Sequence, residues 1–170
     1  MNKKVKNILI IILFLIIIGM AVGYAALAQL LTINGTANIS ASWDIKISNI
    51  TEGTMNGAVS KTAALVAGDK LSATFDVDLQ YPGASASYII TVQNAGTINA
   101  ILESVTGIDS ANNSQPSELT FSIDAVASDI LNNGTTKDYI VNVTWAADSN
   151  AIPSTKTKTA TITLNYVQAI

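Results

Sequence analysis

The octapeptide "DYIVNVTW", residues 138–145, puts Tyr139, Val141, Val143 and Trp145 at alternate positions, with Ile140, Asn142 and Thr144 between them. Successive side chains of an extended chain leave opposite faces, so this period of two is the mark of a half-buried strand. No helical winding gathers these four residues onto one face. The same period recurs on both sides. "SYIITVQN" (87–94) aligns Tyr88, Ile90 and Val92, and "LTFSIDAV" (119–126) aligns Leu119, Phe121 and Ile123. "TFDVDL" (74–79) sends Phe75, Val77 and Leu79 one way and Thr74, Asp76 and Asp78 the other. "WDIKI" (43–47) aligns Trp43, Ile45 and Ile47, and "TATITLNY" (159–166) aligns Ala160, Ile162, Leu164 and Tyr166. Weaker strands are expected at 58–66 and 99–105. Between them stand turn-forming clusters such as "EGTMNG", "AGDK", "YPGAS", "NAGTIN", "IDSANNSQPS" and "NNGTTKD". No helical stripe is read after Ala28. Seven to nine short strands, each with one apolar face, predict an all-β antiparallel sandwich of immunoglobulin-like or jelly-roll type.

The ends of the chain differ in kind. Lys3, Lys4 and Lys6 precede an uncharged run from Ile8 to Ala28 with "ILIIILFLIII" at its centre. A basic start, an apolar run and small residues after it are the parts of a secretory signal. The run also has the roughly 20 residues that span a bilayer. In both readings the positive residues stay inside and the rest lies outside the cytoplasm. The expected domains are 1–28, a signal peptide or membrane anchor, and 29–170, the sandwich. Small residues at −3 and −1 are met by Gly23 and Ala25, giving a start at Ala26, and by Ala26 and Ala28, giving a start at Gln29. Membrane contact is expected only through this segment if it stays uncut.

After Ala28 the chain carries six lysines against twelve acids, a net charge of −6, and the whole sequence has no Arg, His or Cys. Without guanidinium forks, and with acidic excess, nucleic acid is not an expected partner. Without Cys there is no disulfide framework, a usage common in exported proteins of Gram-positive bacteria. The commonest general base, the thiol nucleophile and the best zinc ligands are all missing, so no catalytic residue, metal site or cofactor is expected. Asp76 and Asp78 share a strand face and could hold calcium with loop carbonyls. Their plainer reading is a solvent-facing pair behind Phe75, Val77 and Leu79. A lysine meeting an asparagine and an acid could form an isopeptide cross-link, but spacing does not place three such residues together. Six N-x-[ST] sequons, at Asn34, Asn38, Asn49, Asn112, Asn133 and Asn142, matter only in a glycosylating host.

Three stretches taken together resemble one family. They are "GYAALAQ" running into "LTINGTANISASWDIKI", the turn and strand "LVAGDKLSATFDVDL", and the hairpin "YIITVQNAGTINAILESV". The chain is similar to the TasA/camelysin-like secreted β-sandwich proteins, whose signal peptides are cut by a dedicated SipW-type signal peptidase. That resemblance favours the cut before Ala26. It implies an extracellular jelly-roll protein that self-associates into biofilm matrix fibres by donor-strand exchange. The expected donor strand is roughly Leu30 to Ser40, with Leu31, Ile33, Gly35, Ala37 and Ile39 on one face. The residues themselves are equally consistent with a first strand of the chain's own sandwich. The chain is shorter than the family's fibre subunits, and it lacks the histidines that a metallopeptidase label would require. The competing expectation is a cell-surface adhesin or carbohydrate-binding module, tethered by an uncut N-terminus, with "IDSANNSQPS" and "NNGTTKD" as binding loops.

Overall fold

The computed structural model describes residues 2–27, 33–149, 152–153 and 157–169. The chain divides into two compact units, Met1–Ile39 and Ser40–Ile170. In the first, α1 (Lys3–Leu27) is one continuous helix. Its stretch Lys3–Val22 has a mean hydropathy of 2.8 and is 0% buried. A helix satisfies its own backbone groups, which is why an all-apolar segment of this length can sit in lipid. Ala25 and Ala26 lie within α1, while Ala28 and Gln29 fall outside the described residues.

Beyond α1, residues 33–44 are coil with no strand partner among the described residues, and Leu31 falls outside them. Ile33 and Ile39 are 91% and 98% exposed. Trp43, expected on an inward strand face, is also exposed, because the first strand starts only at Ile45.

The second unit is the all-β sandwich, built from antiparallel pairs. Its strands are β1 (Ile45–Asn56), β2 (Ala58–Val66), β3 (Ala73–Leu79), β4 (Ser85–Asn94), β5 (Ala100–Thr106), β6 (Leu119–Ile123), β7 (Ile130–Leu131), β8 (Thr136–Trp145) and β9 (Thr163–Gln168). One layer is a four-stranded sheet in the order β1-β4-β8-β6. The other is in two pieces, a β2-β3 ribbon and a β7-β5-β9 sheet.

Each piece covers a different end of the four-stranded sheet. At the Asn94 end, Val92 and Tyr139 pack with Ala100, Leu102 and Leu131, beside Leu164 and Tyr166. At the Ser85 end, Ile50, Ala86 and Tyr88 pack beneath Phe75, Val77 and Leu79 of the ribbon, and the Phe75 and Tyr88 rings stack at 4.1 Å. The alternation read in "DYIVNVTW" holds, for Tyr139, Val141 and Val143 are all buried.

Several elements depart from the sequence reading. Of "EGTMNG", read as a turn, residues 52–56 end β1 and only Gly57, at φ +60°, turns the chain into β2. A register slip between Ile47 and Asn49 shifts the inward phase, so Ile50 follows Ile45 into the core. Such a bulge hides a long strand from a strict period of two. "IDSANNSQPS" opens with a short helix, α2 (Ile108–Asn112), and the two-residue β7 was not expected. The last strand begins at Thr163 rather than at Thr159, since β5 ends at Thr106, the partner of Thr163.

The "NAGT" turn is organised by Asn94, which is buried. Its side-chain amide donates to the carbonyls of Ile98 (2.9 Å) and Leu131 (3.1 Å), and its Oδ1 accepts from the Gly96 N–H (3.0 Å). Against this turn lies the root of the N-terminal segment. Thr97 N–H donates to Ser42 O (3.0 Å), Ala95 N–H to Asp44 O (2.8 Å), and Ser42 N–H to Thr97 Oγ1 (2.9 Å).

Candidate functional site

A groove of about 660 Å³ opens beside the β2-β3 ribbon of the split second layer. One wall is β3, which pairs only with β2 and leaves its other edge unpaired among the described residues. The opposite wall is 157–160, the run leading into β9, which pairs with no strand. The floor is Leu119 and Phe121 of β6 with Val143 and Trp145 of β8. This volume alone would suit a small ligand as well as a peptide. The free edge of β3 over this apolar floor has the form of a template for another strand.

The local sequence explains the open walls. In β3 the alternation that buries Phe75, Val77 and Leu79 turns Asp76 and Asp78 outward, where Lys61 of β2 lies 3.9 and 3.8 Å away. The plainer reading of this pair therefore fits, and no group of three metal-ligating residues occurs among the described residues. Exposed charges on an edge strand discourage indiscriminate pairing without blocking its backbone groups.

The second wall is held by one side chain. Lys158 Nζ donates to the carbonyls of Leu119 (2.6 Å), Pro116 (2.9 Å) and Asn112 (3.3 Å). Burial pushes its pKa below the usual lysine value, with Glu118 acting the other way. The Asn112 side chain grips β6, donating to Phe121 O (2.9 Å) and accepting from Phe121 N–H (2.8 Å). In the first loop read as a candidate binding surface, the Asn112 side chain thus serves internal support. In the second, Asn133 N–H donates to Asn99 Oδ1 (2.9 Å) and Thr135 Oγ1 to Asn132 O (2.8 Å), while residues 132–135 stay exposed. Lys158 meets the main chain of Asn112 and not its occupied amide, so these two do not form a Lys–Asn cross-link pair.

Trp145 Nε1, beside the groove, is buried without a hydrogen-bond partner among the described residues. The groove was missed in the sequence because its walls come from residues about eighty positions apart. The one signal available was β3's outward Asp76 and Asp78, a mark of an edge. No protein family, curated protein or solved structure matches the chain.

Proposed function

We propose that this is an exported structural protein, a subunit of extracellular fibres in which the N-terminal segment of one copy fills the groove of the next. The observation that carries this reading is the split second layer, in which the free edge of β3 borders a groove with an apolar floor. A strand seated there would extend the β2-β3 ribbon and cover Leu119, Phe121, Val143 and Trp145. Segment 33–39 suits the role. It has no strand partner among the described residues, its Ile33, Gly35, Ala37 and Ile39 recur with a period of two, and its seven residues equal the length of β3.

Ile33 and Ile39, 91% and 98% exposed, leave this segment available to a second copy. A contact repeated head to tail between copies does not close, and so it builds filaments.

An N-terminal signal handled by a signal peptidase fits this role; an uncut α1 would instead hold the sandwich at the membrane as a surface module. The test is N-terminal sequencing of the exported protein with negative-stain microscopy of the same sample, beside a variant lacking residues 29–40. Filaments from the cut protein and none from the variant are expected. Filaments that persist unchanged in the variant would sink the proposal.

A further inference from the structure

The directions of the two groove walls constrain any strand between them. β3 leaves the 67–72 turn, where Lys70 O accepts from Ile47 N–H (2.7 Å) near the Asn94 end, and finishes at Leu79, where Gln80 N–H donates to Gly57 O (2.9 Å) near the Ser85 end. The opposite wall runs the other way. Lys158 sits at Pro116 and Leu119 near the Ser85 end, and the chain then climbs through Thr163 to Gln168, which faces Ala100 near the Asn94 end. Walls that run antiparallel to each other cannot both be antiparallel to one strand between them. A single inserted strand must make one antiparallel and one parallel ladder. An all-antiparallel closure would need two.

We infer that the strand this groove takes lies antiparallel to β3 and parallel to 157–162, with residues 33–39 of a second copy facing residues 79–73 in that order. The inference rests on the donor-strand reading and adds its orientation. Antiparallel pairing has straight hydrogen bonds and is slightly the more stable per residue. It goes to the wall with the longer regular edge: β3 offers seven residues of strand, whereas 157–162 has no strand geometry. In this arrangement Ile33, Gly35, Ala37 and Ile39 face the floor while Asn34, Thr36 and Asn38 face outward beside Asp78, Asp76 and Thr74. The parallel ladder would be the first in a sandwich whose described pairs are all antiparallel.

Cysteine pairing tests this, because the chain has no cysteine of its own. Asn38→Cys is combined with either Thr74→Cys or Asp78→Cys in the cut, full-length protein. All three positions are exposed, and circular dichroism checks that each variant folds. Thr74 and Asp78 are four residues, about 13 Å, apart, while a disulfide spans at most about 7 Å between Cα atoms. The expected result is a ladder of disulfide-linked oligomers from the Asn38→Cys/Thr74→Cys protein, at least tenfold more abundant than from the Asn38→Cys/Asp78→Cys protein. The reverse preference overturns the orientation while leaving strand exchange standing. Filaments with no cross-link from either pair overturn the placement along β3. Absence of filaments from the unsubstituted protein is the separate failure of the donor-strand reading itself.

Discussion

Asn94 and Gly96 show how much one turn can hold. Asn94 satisfies three backbone groups from a buried position, so Asn94→Ala leaves the Ile98 and Leu131 carbonyls and the Gly96 N–H without their partner. Each unmet buried group costs about 1–3 kcal/mol, and a loss of about 3 kcal/mol in urea unfolding is expected. A Cβ at Gly96 would lie 2.5 Å from Ser42 O. Gly96→Ala should therefore loosen the root of the N-terminal segment, read as faster amide exchange of Thr97, whose N–H donates to that oxygen. Asp129 gives a pH-dependent test. Its hydrogen bond with Lys137, at 2.8 Å, holds its carboxyl below the usual carboxylate range. A folded value below the unfolded one means the contribution is present above the ordinary carboxylate pKa and fades as pH falls through the folded value. The pair is partly exposed, so Asp129→Asn should cost under about 1 kcal/mol at pH 7. That difference from the parent should shrink progressively below about pH 4.

Among the elements, β8 and β9 are tied across the two layers by the Tyr139 and Tyr166 hydroxyls, 2.7 Å apart. Burial raises the pKa of both, and of Tyr88 beneath the ribbon. With folded values above the unfolded one, their neutral forms support the fold up to about pH 10, and the support is lost as pH rises through the folded values. Phenolate absorbance near 295 nm should accordingly lag behind that of the urea-unfolded chain. Full phenolate absorbance in a chain still folded by circular dichroism would contradict this. The groove's second wall depends on Lys158. Lys158→Met leaves three carbonyls without their ammonium, and it should abolish filaments under conditions where circular dichroism still reports a folded sandwich. Filament yield matching the parent would show that 157–160 is not needed as a wall.

For the whole molecule, the division is between what pairs locally and what must be brought together. The alternations in "DYIVNVTW" and "SYIITVQN" were legible because each face of a strand meets one environment, core or solvent, and period two records it. The second half of β1 was illegible because a bulge changes the phase mid-strand. Of the groove, the apolar faces of β3, β6 and β8 and the outward Asp76 and Asp78 could be read beforehand; that the 157–160 run and the Lys158 support meet them could not, since they come from far along the chain. If copies associate through this groove, assembly should depend on concentration. Light scattering of the cut protein should rise on concentrating it, and an added peptide of residues 31–42 should suppress that rise. Scattering indifferent to the peptide would argue against the groove as the junction.

Composition and periodicity alone settled an all-β sandwich after an apolar helix, with neither Cys nor His to support thiol or imidazole chemistry. They also marked residues 31–39 as an alternating segment, though not whether that segment has a partner in its own domain. The tertiary arrangement alone decided that the second layer is split and that its facing edges run in opposite directions. The physical reason is that strand pairing is a long-range choice. Side-chain alternation tells each strand which face to bury, but backbone hydrogen bonds carry no residue label, and which edges stay unpaired depends on how all the strands pack.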